Sequence, residues 1–426
     1  MRLFKQILIL ILLIIFFSCS QDENVILVID GEKISKTEFY NWMDSSSFIH
    51  SDYIQRNTIL NEFAGKYLLY KEAKEKKIDQ EKNFFRHISI IQNDRIIRFV
   101  MDHYIVPPLL SDSIIHKINK DTERRVHVRE IRIKHKFSAV NPMDRSPQEA
   151  KKIADRIKHR LNREDINFDE AVSIYTDDQN MEFRKGSLGE ISYGHISKEY
   201  SDSVWANSMN TIVGPIETKY GFHIIKVGKS DILKVRKKRN IAQEIKKGKY
   251  RILENQMDYF SEELFLQYNV KIDTNAIEQL WGEVTKNYDV LKKAISLDEL
   301  NTIPFETPLA YIKNKPLKLE WFAKNYSAQP GITASRFKIP FSLLVTLRDI
   351  LNRYLTEKWI WNTTKIDASM LHDRLTLDYK KQLYQYYLHL LMEKNSGLTE
   401  AIILNRIFME NSNNVVINQR VIKSIN

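Results

Sequence analysis

The chain of 426 residues is poor in cysteine, glycine and proline, with one cysteine, 12 glycines and 10 prolines. The single cysteine, Cys19, excludes an intrachain disulfide and leaves no cysteine for a metal cluster or a redox pair. The motifs of serine hydrolases (GxSxG), zinc proteases (HExxH), P-loop enzymes and dinucleotide-binding enzymes (GxGxxG) are also missing, so these enzyme classes have little support. The 20 tyrosines and 20 phenylalanines, with so few glycines and prolines, are typical of an ordered, helix-rich protein.

The first residues have the pattern of a targeting signal. Two basic residues precede an unbroken apolar run over residues 7–17, which is shorter than the stretch of about 20 residues that spans a bilayer. Cys19 follows a small residue at the end of this run, and the arrangement resembles the bacterial lipobox, in which the cysteine is lipidated. We therefore predict a lipoprotein signal peptide over residues 1–18, lipidation of Cys19 and a polar tether over residues 19–24. The alternative is a chance cysteine after a signal.

The chain is basic, with a formal net charge of +11, which falls to about +9 without the signal. A basic surface favours anionic lipids or acidic partner proteins. We expect no nucleic-acid partner, because an exported chain does not meet nucleic acid and no recognition motif places aromatic residues among the basic ones. The length allows about two to four domains, each with its own core.

Residues 25–120 are predicted to form a mainly helical N-terminal module. Two short strands flank a turn at Asp30–Gly31, and a helix follows them. Apolar residues then recur with helical spacing over residues 56–77 and 86–104. Each of these two segments therefore predicts a helix with one buried face.

The segment 214–227, GPIETKYGFHIIKV, is the most informative part of the chain. A turn at Tyr220–Gly221 leads into an apolar run that reads as a buried strand, and His223 lies inside that run. Burial of an unpaired polar group costs about 1–3 kcal/mol, so His223 must find hydrogen-bond partners. Upstream, residues 185–200 read KGSLGEISYGHISKEY and residues 168–178 read FDEAVSIYTDD.

These three segments, in this order, resemble the parvulin family of peptidyl-prolyl cis/trans isomerases, over about residues 122–230. The resemblance implies an α+β fold class: a parvulin-like α/β domain, with a small antiparallel sheet and surrounding helices, flanked by mainly helical modules. The N-terminal module is similar to that of exported chaperones of the SurA and PrsA type. We expect no cofactor and no metal, because rotating an Xaa-Pro bond over its barrier of about 18–20 kcal/mol requires only a site that favours the twisted amide.

The resemblance also implies an apolar pocket for the proline ring with a polar network beside it. Plain core packing is the alternative role for the apolar residues. Glu130 stands where the family often has a histidine, so His223 is expected to bond either to Glu130 or to Asp178. Tyr220 either adds a hydroxyl or blocks the pocket. The pocket falls on Leu188, Ile196 and Tyr200, and the polar network on Glu130, Asp178, Thr218, Tyr220 and His223.

Residues 231–300 are predicted to form a basic helical connector, because nine lysines or arginines fall within residues 234–251. A basic run on a helix is usually a solvated face, and binding of lipid or of a client protein is the alternative.

Residues 301–426 are predicted to form a C-terminal helical module that repeats the N-terminal one. The string AYIKNKPLKLEWFAKNY at 310–326 follows the plan of VIDGEKISKTEFYNWM at 28–43. Two shorter echoes accompany it. ILNRYL at 350–355 repeats ILNEFA at 59–64, and NVVINQRVIKSI at 414–425 repeats NVKIDTNAIEQL at 269–280.

We predict a peptidyl-prolyl isomerase and folding chaperone for unfolded or proline-containing envelope proteins. It is expected to be a membrane-anchored lipoprotein of the cell envelope that faces the periplasm, with the outer membrane or the cell surface as alternatives. A catalytically weak holdase that binds unfolded envelope proteins through its helical modules is the second hypothesis, and a structural scaffold is the third. Glu130 and the long helical remainder favour the holdase, while the turn at Leu188 and the GFHII strand favour the isomerase.

Overall fold

Two compact units make up the part of the chain that the computed structural model describes. The first contains the described residues up to Gln92 together with those from Ser369 onwards, and the second spans Asn93–Ala368. The signal predicted over residues 1–18 and the lipidation predicted at Cys19 lie outside the described residues. Among the described helices, none has both the length and the apolar composition needed to cross a membrane. The described residues are 24–43, 45–232, 240–248, 251–289, 295–327, 337–395 and 397–425.

The secondary structure of the described residues is mixed, with long helices and short strands. The strands in chain order are β1 Val25–Ile29, β2 Glu32–Ser35, β3 Arg124–Ile133, β4 Ser187–Ser192, β5 Ile212–Thr218, β6 Gly221–Ile232, β7 Val270–Ile272, β8 Ala310–Ile312, β9 Lys315–Leu317 and β10 Val415–Ile417. The α-helices are α1 Lys36–Trp42, α2 Ser45–Ile49, α3 Tyr53–Glu75, α4 Lys82–Val100, α5 Val106–Leu109, α6 Asp112–Thr122, α7 Pro147–Asn162, α8 Phe168–Tyr175, α9 Gln179–Phe183, α10 Lys198–Trp205, α11 Ile241–Lys246, α12 Ile252–Gln267, α13 Thr274–Asn287, α14 Leu297–Asn301, α15 Leu319–Ser327, α16 Pro340–Ile360, α17 Ser369–Lys394, α18 Glu400–Glu410 and α19 Gln419–Lys423. A π-helical turn, Met101–Ile105, follows α4 directly.

A three-stranded antiparallel sheet joins the two chain segments of the first unit. β1 lies in its centre, with β2 on one side and β10 on the other, and Leu27 lies opposite Ile417. The turn between β1 and β2 consists of Asp30 and Gly31, which both have positive φ. This turn geometry matches the twist of the two strands in a two-residue hairpin. The sheet therefore pairs residues that are separated by nearly the whole described chain.

The core of the first unit forms around α3. Phe63 and Tyr67 lie one helical turn apart on its buried face, and the ring of Phe39 from α1 lies 5.2 Å from the ring of Phe63. α18 approaches α3 at Gly65, where an added Cβ would lie 2.8 Å from the carbonyl oxygen of Leu404. The close packing of these two helices therefore depends on the missing side chain at Gly65.

The second unit contains a four-stranded antiparallel sheet with the strand order β4–β3–β6–β5. Successive side chains of a strand point to opposite faces of a sheet, so the central strands β3 and β6 bury residues on both faces. Helices α7 and α8 cover the face that carries Ile131 and Ile224. Helix α10 covers the face that carries Val128 and Ile225.

A second three-stranded sheet, β7–β8–β9, has the same arrangement as the sheet of the first unit. Its hairpin is closed by Lys313 and Asn314, again two residues with positive φ. The helix after each hairpin buries a phenylalanine at the same place, Phe39 in α1 and Phe322 in α15. These shared features support the predicted repeat.

The two units divide the chain differently from the predicted modules. The module predicted over 25–120 extends past Gln92 into the second unit, and the module predicted over 301–426 contributes to both units. Residues 231–300, predicted as a connector, supply β7, which pairs with β8. Part of the basic run predicted over 234–251 lies outside the described residues. The difference arises because strands pair across long separations that the apolar periodicity of single helices does not reveal.

Candidate active site

The candidate site lies on the face of the four-stranded sheet that α10 covers. Glu130 and Arg132 are two residues apart in β3, so their side chains point to the same face. His223 of β6 lies opposite Arg132 in the register of the two strands. Glu130 and His223 are almost fully buried, with exposures of 1% and 3%. The sheet therefore brings a carboxylate, a guanidinium and an imidazole together inside the protein.

The turn between β5 and β6 holds His223 in place. Gly221 has a φ of 117°, and an added Cβ there would lie 2.5 Å from the carbonyl oxygen of Ile133, so the turn requires glycine. Thr218 ends β5, and its Oγ1 lies 2.7 Å from Nε2 of His223. The backbone N–H of Tyr220 donates to the same Oγ1 at 3.1 Å. The turn thus supplies a partner for one ring nitrogen of His223.

Glu130 supplies the partner for the other ring nitrogen, since Nδ1 of His223 lies 2.9 Å from Oε2 of Glu130. A carboxylate only accepts hydrogen bonds, so we assign Nδ1 as the donor. The same carboxylate accepts from the Tyr200 hydroxyl at 3.1 Å and from Nη2 of Arg132 at 2.5 Å. Of the two partners predicted for His223, Glu130 and Asp178, the structure shows the bond to Glu130.

The charges around Glu130 keep it ionised. Burial raises the pKa of a carboxyl, but the charge and hydrogen bonds of His223 and Arg132 outweigh burial and lower the pKa of Glu130 to about 2. Burial and the neighbouring negative charge of Glu130 raise the pKa of Tyr200 well above its usual value. At neutral pH, Glu130 is therefore an anion and Tyr200 is a neutral donor.

Asp178 joins this network through Arg132. Nη1 of Arg132 donates to Oδ2 of Asp178 at 2.6 Å. The other oxygen of Asp178 accepts from the backbone N–H of Asn180 at 3.1 Å and caps α9. Arg132 was not predicted as a site residue, although its spacing of two from Glu130 in a strand places both side chains on one face.

A cavity of about 250 Å³ lies beside the network. Its apolar residues also pack in the cluster that α10 buries against the sheet. These residues therefore both line the cavity and belong to the hydrophobic core. Asp178 is the one predicted site residue of the described chain that is outside the lining. The other predicted site residues line the cavity together: Glu130, Leu188, Ile196, Tyr200, Thr218, Tyr220 and His223.

One wall of this cavity comes from outside the predicted isomerase segment. The backbone N–H of Arg251 donates to the carbonyl oxygen of Gly194 at 2.9 Å, and Nζ of Lys219 lies 3.8 Å from Oε1 of Glu254. These contacts attach the start of α12 to the sheet. No local motif indicated this wall, because it forms by contact between distant segments. The residues it contributes are Arg251, Glu254, Asn255 and Asp258.

The site combines an apolar cavity with an oriented polar network and a fixed negative charge. Oriented groups of this kind can stabilise one charge distribution of a bound amide over another. Among the described residues, no group of three or more His, Cys, Asp or Glu side chains is arranged to hold a metal ion. The arrangement suits a reaction in which a bound amide changes its geometry.

Comparison with known proteins gives the class. The family model described as "Rotamase: PPIC-type PPIASE domain" matches residues 131–229, which cover most of the four-stranded sheet and the candidate site apart from Glu130 and the wall that α12 contributes. Residues 131–229 therefore form a peptidyl-prolyl cis/trans isomerase domain of the parvulin type.

Among individual proteins, the chain is similar to the foldase protein PrsA of Geobacillus sp. (strain WCH70), with 24% identity over 211 residues, 48% of this chain and 72% of the relative. It is also similar to the foldase protein PrsA of Geobacillus kaustophilus (strain HTA426), with 24% identity over 241 residues, 54% of this chain and 81% of the relative. A solved SurA-like chaperone of Campylobacter jejuni aligns with 58% of this chain and 98% of its own, at 17% identity and a TM-score of 0.23. The family model and the two foldases confirm the predicted fold class, isomerase activity and folding-chaperone function.

Proposed function

We propose that the protein isomerises Xaa-Pro bonds of unfolded client proteins in the cavity beside β3 and β6, with the proline ring held by the apolar lining. The observation that carries this proposal is the hydrogen-bonded chain Thr218–His223–Glu130, which borders that cavity. The proposed client is an extended segment of an envelope protein that carries proline. The rest of the chain holds the client while the bond rotates.

The chemistry follows from the prolyl amide itself. Its rotation has a barrier of about 18–20 kcal/mol, because resonance across the C–N bond is lost in the twisted state. An apolar cavity removes water hydrogen bonds that favour the planar amide, and an oriented network favours the charge distribution of the twisted one. Since the polar network is already formed in the folded protein, it needs no reorganisation when the amide twists.

The polar residues have different roles in this proposal. Thr218 and His223 line the cavity and act on the bound amide. Glu130 is a positioning residue, because its contact with Nδ1 fixes the orientation of the His223 ring. Arg132 in turn bonds to both Glu130 and Asp178. Asp178 therefore affects the site through Arg132 and does not contact the client.

Isomerase activity of the full chain on short Xaa-Pro peptides tests the site. Leu188→Ala should lower kcat/KM about tenfold, since about 1.4 kcal/mol of lost apolar contact is a factor of ten, and His223→Ala should lower it further. Leu161→Ala is the matched control, because Leu161 packs on the opposite face of the sheet. It should lower stability and leave kcat/KM within about twofold. Full activity in both site variants would show that the site is placed wrongly.

We further propose that the protein is a lipoprotein of the cell envelope, anchored by a lipid on Cys19 and facing the periplasm. The apolar run over residues 7–17 and the small residue before Cys19 support this proposal. The outer membrane and the cell surface are the alternative locations. Metabolic labelling with a fatty-acid analogue should mark the wild type and leave Cys19→Ala unmarked. An unlabelled wild type would remove the lipoprotein proposal.

A second role, as a holdase, is favoured by apolar side chains outside the isomerase segment. In the first unit Ile402, Met409 and Met370 are 50%, 64% and 76% exposed. Such side chains can bury apolar segments of an unfolded client, at about 25 cal/mol per Å² of apolar surface. Binding in this role depends on hydrophobicity rather than on proline.

A chain that lacks residues 122–230 tests the holdase role. The two ends of the removed segment lie close together, because Arg124 and Ile232 lie opposite each other at the ends of β3 and β6. The shortened chain should melt cooperatively, suppress aggregation of a denatured envelope protein and be indifferent to replacement of the client's prolines. A folded shortened chain without protective effect would assign the chaperone role to the isomerase domain.

A further inference from the structure

Each unit contains a groove beside its long helix. The first-unit groove, of about 520 Å³, lies between α3 and α18. The second-unit groove, of about 200 Å³, lies between α12, α16 and the end of α4 with the π-helical turn that follows it. On the long helices, the lining residues are Thr58, Asn61 and Glu62 in α3, and Asp349, Asn352, Arg353 and Thr356 in α16.

The two grooves occupy equivalent positions of the internal repeat. The echo of ILNEFA at 59–64 by ILNRYL at 350–355 aligns α3 with α16. In this alignment Asn61 falls on Asn352, and the other two lining residues of α3 fall on Asp349 and Arg353. Thr356 has no counterpart in the lining of the first-unit groove.

The helices on the other side of the grooves correspond as well. α18 precedes β10 and α12 precedes β7, and these strands take the same place in their sheets. We align the two helices with a gap of one residue, so that a position in α12 lies one residue nearer to β7 than its counterpart in α18 lies to β10. In this alignment, Leu404 falls on Phe260. The lining residues next to them coincide in the same alignment, Ala401 with Met257 and Asn405 with Ser261.

Accidental packing gaps would not be expected at six matched positions in two units. Apart from the shared asparagine, the residues at these positions differ in size or charge, so the location has been kept while most of the lining has changed. A groove that recurs in this way is a feature of the repeated module rather than a defect in one copy of it.

The matched asparagines indicate what the grooves bind. Oδ1 of Asn352 is buried and has no hydrogen-bond partner among the described residues, and an unpaired buried acceptor costs about 1–3 kcal/mol. A carboxamide presents a donor and an acceptor side by side, which is the pattern that the N–H and C=O groups of an extended peptide complement. Asn61 offers the same group in the first-unit groove.

The other lining residues define the side chains of the ligand. Leu404 and Phe408 make the first-unit groove apolar in part, as Met257 and Phe260 do in the second. Apolar walls around an amide suit an extended segment with apolar side chains.

Charge distinguishes the two grooves. The charged residues that line the first-unit groove are both acidic, Glu62 and Glu400. Lys66 pairs with Glu62, while Glu400 has no ion pair among the described residues. The second-unit groove carries both signs, with Asp349 and Arg353. A basic residue in the ligand therefore complements the first-unit groove only.

We propose that the two grooves are a duplicated pair of binding sites for extended apolar segments of unfolded polypeptides, and that the first-unit groove prefers a segment with a basic residue. The proposal rests on the proposed chaperone function. It gives each chain two client sites outside the isomerase cavity, so one client can be held while its prolyl bonds are isomerised.

The number of bound peptides tests this proposal on the full chain. The probe is a fluorescein-labelled decapeptide of alternating leucine and serine with one lysine, which contains no proline. The wild type should bind two peptides. Ala401→Phe fills the first-unit groove and Ser261→Phe fills the second, so each variant should bind one peptide and the double variant none. Ile54→Phe and Leu266→Phe add the same ring at exposed positions outside the linings, and both should still bind two.

Exchanging the lysine of the probe for glutamate separates the grooves. The affinity of the first-unit groove, measured in Ser261→Phe, should fall about two- to fivefold, as the loss of an exposed ion pair allows. The affinity of the second-unit groove, measured in Ala401→Phe, should not change.

Isomerase activity on a short Xaa-Pro peptide should be the same in all these variants, so failure of the groove proposal is distinct from failure of the isomerase site. Two peptides bound to the double variant, or none bound to the wild type, would overturn the proposal. Sedimentation that shows Ala401→Phe dissociating a dimer while peptide binding is unchanged would assign the first-unit groove to a second copy of the chain, and would overturn it too.

Discussion

Replacing Glu130 by glutamine removes the charge at the centre of the site and keeps the shape of the side chain. The carboxylate accepts hydrogen bonds from His223, Tyr200 and Arg132. Glutamine has one acceptor oxygen and a donating amide, so at least one buried donor must face another donor. Removing one partner of a buried ion pair costs about 3–5 kcal/mol.

The pKa of Glu130 provides a second measure of the same effect. Its fall from the usual 4.5 to about 2 corresponds to about 3 kcal/mol of stability. We therefore expect Glu130→Gln to lower the free energy of unfolding of the second unit by about 3 kcal/mol, which lowers its Tm by about 6–12 °C.

The pH dependence of stability should change with it. Between pH 4.5 and about 2, the folded state binds fewer protons at Glu130 than the unfolded chain does. The stability that Glu130 contributes is therefore present above pH 4.5 and is lost as the pH falls towards 2. The difference in stability between wild type and Glu130→Gln should shrink over the same interval.

Urea and thermal unfolding followed by circular dichroism measure both effects, and isomerase assays on Xaa-Pro peptides measure the loss of orientation of His223. Glu190→Gln is the control, because Glu190 is exposed on β4 and lies 3.7 Å from Arg125. It should change stability by less than about 0.5 kcal/mol. A Glu130→Gln protein that keeps its kcat/KM and unfolds within about 1 kcal/mol of wild type would refute the role of Glu130 as the anchor of the network.

Three further predictions concern the helix contact at Gly65, the buried His135 and the Arg132 link between Glu130 and Asp178. Gly65→Ala should destabilise the first unit by about 1–3 kcal/mol, because its Cβ meets the backbone of Leu404, whereas Gly282→Ala, in a helix with open space, should stabilise by up to about 1 kcal/mol; equal melting shifts would contradict this. Burial lowers the pKa of His135 below 6.5, so its contribution to stability is full above pH 6.5 and decreases as the pH falls below it. Urea unfolding between pH 7 and pH 5 should therefore show that the stability of His135→Leu depends less on pH than that of the wild type. An equal pH dependence in both proteins would contradict this prediction. Arg132→Lys should lower kcat/KM about tenfold, because a lysine cannot reach Glu130 and Asp178 with two parallel donors as the guanidinium fork does; an unchanged kcat/KM would show that the link between the two carboxylates is not needed.

Most of the lining of the candidate site could be predicted because its residues lie in short, continuous segments. Thr218, Tyr220 and His223 belong to one turn and strand, and the demand of a buried imidazole for two partners is a local property of that strand. Whether His223 bonds to Glu130 or to Asp178 could be decided only from the register of β3 against β6, which places Glu130 within reach of Nδ1 of His223.

The remaining features depend on contacts between distant parts of the chain. The wall that α12 adds to the cavity follows from the bond between Arg251 and Gly194, which no apolar period signals. The predicted repeat rests on segments of similar sequence, but the pairing of the strands could not be predicted from them. β10 completes the sheet of the first hairpin, whereas β7 completes that of the second. Because the segments of β7 and β10 are similar in sequence, the sequence does not show which hairpin each strand joins.

The pairing of β1 with β10 also sets an order of events during synthesis. At about 5–20 residues per second, β1 leaves the ribosome roughly 20–80 s before β10 does. During that time one side of β1 is an open edge to which other chains can add. The four-stranded sheet needs nothing beyond Ile232 and can close earlier. The first unit is completed last, and until then the nascent foldase is itself a polypeptide with an exposed strand, of the kind it assists.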